Sequence, residues 1–237
     1  MAAHDHSLTY KENKLKNIPH KLRLRKIIRV LTSLNTSFKN FIDVGCSNGY
    51  ITNIIRSKFE FETVTGVDYS EENLEKAKIK YPEIVFEPID LNEPISESLI
   101  AKYDLVTCFE TLEHVGNLKT AVSNILSMST PKGTVVITVP IEIGFWGIGK
   151  FILKRFVYGY TLKELKGVST SQYFSSLIKG NNMGQYRDMR KEKRSWGTHF
   201  GFDYRNIDKI LKKKGIPYKA KNSNGTRVYI INNISEV

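Results

Sequence analysis

Three aspartates each close a β-type apolar run: Asp43 in FIDVG, Asp68 in TVTGVD and Asp90 in IVFEPID. Asp43 leads into a turn, GCSNGY, carrying Gly45 and Gly49. Such a turn after a first strand lets a ligand approach the backbone, because glycine has no Cβ. The spacing G-x-x-x-G is not the dinucleotide fingerprint G-x-G-x-x-G, and no Walker lysine follows. An acid before the first glycine opposes a pyrophosphate and suits a positively charged ligand, such as an amino acid's amino group or a sulfonium. Asp68 is placed to accept both hydroxyls of a ribose. Asp90 is placed to meet an adenine amino group. Together they describe a nucleoside joined to a cationic amino acid; the bland alternative for each is strand-end capping or a surface salt bridge. A second set, Glu110, Glu113 and His114 in ETLEH, follows the fourth apolar run. If that segment turns helical, spacings of three and four bring the three side chains together.

Positioning these residues requires alternating elements. Strands are expected over 40–45, 63–68, 84–90, 103–109 and 133–140, with helices over 50–59, 70–81 and 117–129. Ser70 is the expected N-cap of the second of these helices, with acids in its first turn. Pro131 is expected to end the third. Strands alternating with helices argue for a parallel sheet covered on both faces, an α/β architecture with right-handed connections. Cys46 and Cys108 read as small residues packed at strand ends, and Asp104, which begins its strand, as structural. Ahead of the first strand, Leu22, Ile27, Ile28 and Leu31 fall near helical spacing among basic residues, an amphipathic helix laid against the core. The rhythm breaks from Ile141 to Gly197 and resumes with a helix closed by Gly215. Two segments, PYKAKNS and RVYIIN, then join through Asn224-Gly225, a hairpin signal. The expected organisation is a basic helical cap over 1–37, a core over 38–140, an insertion over 141–197 and a completion of the sheet over 198–237.

The 237 residues hold 41% hydrophobic side chains, enough for a sizeable core. No apolar run has the roughly 18 to 20 residues of a membrane helix, so a cytoplasmic protein is expected. Two cysteines fit a reducing compartment. A net charge of +12 biases the surface toward anionic partners or serves solubility alone.

DVGCSNG (43–49), GVDYS, PIDLNEP, YDLVTCFETLEHV and PKGTVVITVP resemble, in order and spacing, the motifs of class I S-adenosylmethionine-dependent methyltransferases. The resemblance covers about 38–140 and 198–233. It implies a three-layer Rossmann-like fold, a seven-stranded mostly parallel sheet with an antiparallel last strand and an inserted substrate lid. It implies S-adenosyl-L-methionine as cofactor, held by Asp43, Gly45, Cys46, Ser47, Gly49, Asp68, Tyr69, Asp90, Leu91 and Phe109. Ser47 departs from the glycine common at its position. The E-x-x-E-H pattern is similar to the metal site of small-RNA 2′-O-methyltransferases and ubiquinone-pathway O-methyltransferases. That similarity implies Mg²⁺ or Mn²⁺ on Glu110, Glu113, His114 and His199. Without a metal, His114 or His199 is the expected base, with Glu110 in the same catalytic group.

The insertion lies where this family builds its substrate cover. Phe145, Trp146, Phe151, Phe156, Tyr158 and Tyr160 could wall a sugar or form the lid's own core. Lys150, Lys154, Arg155, Arg187, Arg190 and Arg194 could receive a phosphate. The first reading is O-methylation of a sugar, nucleotide sugar or surface glycan, with a small, anionic acceptor. RNA 2′-O-methylation, quinone or lipid-type O-methylation, and a non-catalytic binding protein are the alternatives. The amphipathic FWGIGKFILKRFVYGY also suits peripheral membrane contact.

Overall fold

The computed structural model describes residues 10, 17–34, 36–158, 169–181, 183–188 and 201–232. Helix α1 (Ile18–Ser33) comes first, followed by β1 (Asn40–Val44), α2 (Tyr50–Arg56), β2 (Thr63–Asp68), α3 (Glu71–Lys80), β3 (Val85–Pro88), β4 (Tyr103–Phe109) and α4 (Leu118–Ser127). Strand β5 (Ser129–Pro140) precedes the insertion helices α5 (Gly144–Tyr158), α6 (Thr170–Lys179) and α7 (Met183–Asp188); α8 (Arg205–Lys213), β6 (Lys219–Ser223) and β7 (Thr226–Asn232) complete the fold. The seven strands lie in the order β3-β2-β1-β4-β5-β7-β6. Only β7 runs against the rest, pairing antiparallel with both β5 and β6. This is the α/β sheet with a reversed last strand that the sequence implies, and the turn at Asn224 and Gly225, both at positive φ, makes the hairpin.

Local chemistry explains the elements. Ser70 accepts a hydrogen bond from the Asn73 amide, and Glu71 and Glu72 at one end of α3 and Lys78 and Lys80 at the other complement the helix dipole. Asn117 caps α4 in the same way, and Ala121, Val122, Ile125 and Leu126 give that helix its buried face. Central strands β1, β4 and β5 are apolar on both faces, as a doubly covered sheet requires. Burying Ile42, Leu105 or Ile137 from unfolded to native contributes roughly 1.5–3 kcal/mol each.

Two expectations need correction. Helix α4 stops at Ser127, and Pro131 lies inside β5 rather than ending a helix. The strand's register jumps there, with Ser129 opposite Tyr103 but Thr134 opposite Leu105, and a bulge tolerates a residue with no N–H. Helix α2 is also shorter than expected, closing at Arg56.

The insertion has its own apolar centre, built from Ile143, Phe151, Tyr173, Leu177, Met183 and Tyr186. Among the described residues no helix is long and apolar enough to cross a membrane.

Candidate functional site

Strand order reverses between β1 and β4, the point at which open α/β sheets bind ligands beyond their carboxyl ends. A cleft of about 520 Å³ opens there, within the roughly 300–1,000 Å³ usual for small-molecule sites. Asp43, Asp68 and Asp90 all line it, with Gly45, Cys46, Ser47, Tyr69, Leu91 and Phe109. Gly49 is the exception among the expected cofactor residues: it stands outside the lining and serves as the N-cap of α2.

The turn after β1 is fastened to β2. The amides of Gly45 and Cys46 donate to the Val67 carbonyl at 2.7 and 3.0 Å. The Ser47 amide donates to Asp68 Oδ2 at 2.8 Å, and the Ser70 amide to Asp68 Oδ1 at 2.9 Å. Asp68 thus ties the turn to the start of α3 while facing the cleft. Gly45 has φ +79°, and a Cβ there would stand 2.1 Å from Thr111 Oγ1, so no larger residue fits. Ser47 also has a left-handed φ of +50°, which explains why a glycine is common there and costs this chain roughly 1 kcal/mol.

Asp90 accepts from the amide and Nδ2 of Asn92 at 2.9 and 2.7 Å. Asn92 in turn accepts from the Asn117 amide, and the buried Asn124 donates to the carbonyls of Leu91 and Glu93. These asparagines position the Asp90 loop, and sequence reasoning passed over them because they look like ordinary caps.

Asp43 differs from its expected role. It is 3% exposed, accepting from Thr52 Oγ1 at 2.6 Å and Thr107 Oγ1 at 2.7 Å. It therefore braces the cleft floor rather than standing out to meet a cation. Burial above all lifts its pKa to about 6, against the pull of the two threonine hydroxyls. Because the folded pKa lies above the ordinary 3.8, the native state holds the proton more tightly. Stability therefore falls as pH rises from about 3.8 to about 6, by about 3 kcal/mol in all. Asp43→Asn should remove this dependence: its melting temperature should match wild type near pH 4 and exceed it by several degrees at pH 7. Parallel wild-type and variant curves across that range would show that Asp43 does not titrate in the folded protein.

Glu110, Glu113 and His114 also line the cleft, but not from a helix. Glu110 has φ +51°, and the His114 amide closes a turn on the Thr111 carbonyl at 2.9 Å, so the expected helical convergence does not form. Glu110 turns to α1, pairing with Arg23 at 3.1 Å and accepting from Thr138 Oγ1. Glu113 is fully buried; burial first and the Glu110 charge second push its carboxyl well above the usual range. Its 3.9 Å approach to His114 Nε2 accordingly carries little ion-pair character. The His114 side chain is 40% exposed, open to the cleft. His199 lies outside the described residues. Among the described residues no group of three His, Cys, Asp or Glu is disposed to hold a metal ion.

The cap from the N-terminal segment was not foreseen as part of the site. Tyr10, His20 and Arg23 all line the cleft. Tyr10 stacks on Tyr50 at 5.5 Å and meets His20 edge-on. Arg23 brings a guanidinium whose Nε is buried with no hydrogen-bond partner among the described residues. It is the kind of group that receives a carboxylate. Replacing Arg23 with Gln should weaken binding of a carboxylate-bearing ligand about tenfold, an effect of one charged hydrogen bond, measured by calorimetry. Unchanged affinity would leave Arg23 as a partner of Glu110 only.

The described residues of the insertion do not wall the cleft. Phe151 packs inside the insertion's own centre, and Phe145 and Trp146 are exposed. Lys150 bonds Glu142 and the Gly225 carbonyl rather than waiting for a phosphate. Among the described residues, none from 141–197 lines the cleft. Phe156, Tyr158, Lys154, Arg155 and Arg187 have side chains outside the described set, and Tyr160, Arg190 and Arg194 lie wholly outside it.

A family model described as "Methyltransferase domain" matches residues 15–167. The 235L protein of Invertebrate iridescent virus 6, named as a methyltransferase, is 35% identical over 92 residues, 39% of this chain and 34% of that protein. The ubiquinone biosynthesis O-methyltransferase of Salmonella paratyphi A is 34% identical over 100 residues, 41% of this chain and 40% of that protein. The chain thus spans well under two thirds of these relatives. Among solved structures, magnesium protoporphyrin IX methyltransferase from Synechocystis PCC 6803 with bound SAH superposes with a TM-score of 0.59 at 15% identity, covering 96% of this chain and 92% of that one. At that identity the likeness is one of fold.

Proposed function

Since the chain belongs to the methyltransferase-domain family, we propose that it moves a methyl group from S-adenosylmethionine to a hydroxyl of a quinone-like or lipid-type small molecule. The observation that carries this reading is the cleft itself: Asp68 and Asp90 at neighbouring strand ends, a glycine turn that no Cβ could enter, and Arg23 opposite. Those residues fit the parts of the cofactor. Asp68 suits the ribose hydroxyls, Asp90 the adenine amino group and Arg23 the methionine carboxylate, while Leu91 and Phe109 offer apolar surface. Bound there, S-adenosylmethionine supplies a methyl already activated on a sulfonium.

Methyl transfer is an in-line displacement, so the chain's task is to hold the acceptor oxygen behind the methyl and to remove its proton. His114, open to the cleft beside Thr111, is the base in this reading. Tyr10 and His20 close the cleft from the N-terminal side and exclude water. The quinone-like acceptor rests on the name of the Salmonella relative. A sugar acceptor depended on an aromatic wall, and the described aromatics of the insertion do not face the cleft.

The test is methyl transfer from isotopically labelled S-adenosylmethionine, read by mass spectrometry over quinone precursors, sugars, lipid-linked glycans and short RNAs, with and without chelator. Label in a phenolic hydroxyl is the expected result. Label only in sugar or RNA would reassign the acceptor, and failure to bind the cofactor by calorimetry would overturn the activity.

A further inference from the structure

Helix α1 carries five cations and no acid in its 16 residues. It has two working faces. His20, Arg23 and Ile27 turn to the cleft. Ile18, Leu22, Arg25 and Arg29, spaced i, i+4, i+7 and i+11, form an exposed stripe on another side. Ile18 and Leu22 are 46% and 45% exposed, which is unusual for two large aliphatic residues one turn apart.

The β6–β7 hairpin lies between helix α1 and the insertion. Lys26 Nζ donates to the Ser223 carbonyl at 3.4 Å, and Lys150 Nζ to the Gly225 carbonyl at 2.9 Å. Trp146 lies 3.6 Å from where a Cβ on Gly225 would stand. Helix α5, which also has no acid, opens with Phe145 at 91% and Trp146 at 57% exposure. On the hairpin's outer strand Lys219 and Lys221 are exposed, and Lys221 lies close enough to depress the pKa of Lys26, after burial as the larger cause. Exposed aliphatics and aromatics, framed by cations with no acid in either helix, thus run from α1 across the hairpin to α5.

We propose that this face docks on the surface of an anionic lipid bilayer. Charge complementarity and composition together select that partner: the cations meet the headgroups while Ile18, Leu22, Phe145 and Trp146 enter the boundary layer. Nucleic acid would use the cations and stack on the aromatics but gives exposed isoleucine and leucine nothing to do. Docking is independent of methyl transfer. Its use, keeping the chain at the surface where a lipid-type acceptor resides, rests on the proposed function.

Sedimentation with phosphatidylcholine vesicles, with and without phosphatidylglycerol, tests this on the full chain. The protein should partition to the anionic vesicles only, with a blue shift in tryptophan fluorescence. The Arg25→Gln/Arg29→Gln pair should weaken partition at least about tenfold, since each cation near such a surface is worth roughly fivefold. Phe145→Ser should weaken it and Trp146→Phe should remove the blue shift, with circular dichroism and cofactor affinity unchanged. No partition, or partition indifferent to these changes, overturns the proposal. So does binding to short RNA that survives Phe145→Ser while vesicles are ignored. If the acceptor screen fails while vesicle binding behaves as described, the proposed activity falls and the docking face stands.

Discussion

His114→Ala should lower turnover at least about 100-fold while leaving affinity for S-adenosylmethionine within about twofold, because a positioned base typically contributes 10²–10⁴. The split follows from the geometry. His114 holds its turn through its backbone amide on the Thr111 carbonyl, so truncating the side chain leaves the turn closed. The imidazole is 40% exposed and faces the cleft, whereas the proposed partners of the cofactor's ribose and adenine are Asp68 and Asp90. Single-turnover rates with the acceptor found in the screen, set beside calorimetric affinity, separate the two effects. The acid limb of the wild-type pH–rate profile should vanish in the variant, and added imidazole should restore part of the rate. A variant within tenfold of wild type, or one that loses cofactor binding in step with turnover, would take the base away from His114. The conservative His114→Gln should behave like Ala, since it keeps hydrogen bonding but cannot take up the proton.

The sheet was readable because its evidence is local. The core strands are apolar runs that end at or beside an acid or a proline, and Ser70 and Asn117 through their side chains, and Gly215 through its positive φ, mark helix boundaries within one turn. The Asn224-Gly225 hairpin is likewise written in two residues. Pro131 misled because its meaning depends on a distant partner: only pairing with Tyr103 and Leu105 reveals the bulge. The cleft divides in the same way. Asp68 and Asp90 are legible from strand ends, while the part played by Arg23, His20 and Tyr10 depends on how they come to line the same cleft. No period or motif records that arrangement. Asp43 shows a third situation, in which the position was legible but the role was not. Two threonines, one from α2 and one from β4, occupy its oxygens, and neither belongs to its own strand. For the insertion, aromatics at helical spacing were compatible with a wall or a core, and among the described ones Phe151 packs against Tyr173 in a core.

Under the proposed function, Asp68 is the carboxylate that receives the ribose. Asp68→Ala should weaken S-adenosylmethionine binding at least about 100-fold, since two hydrogen bonds to a charged group are worth roughly 1.5–3 kcal/mol each. The same carboxylate also accepts the amides of Ser47 and Ser70, so its removal frees the turn after β1 and the start of α3. Two controls distinguish direct contact from loosening. Asp68→Asn retains an acceptor for one of the amides and should recover most of the thermal stability but little of the affinity, because the charge is gone. Asp104 is the second control: its Oδ2 accepts the amides of Lys39 and Asn40 at 3.2 and 3.1 Å at the opposite end of the sheet. Asp104→Ala should therefore lower the melting temperature and leave cofactor affinity unchanged. Should Asp68→Ala and Asp104→Ala lower the melting temperature equally and neither disturb calorimetric binding, the carboxylates would be braces of the backbone alone. A nucleoside would then have to be held by some other edge of the sheet.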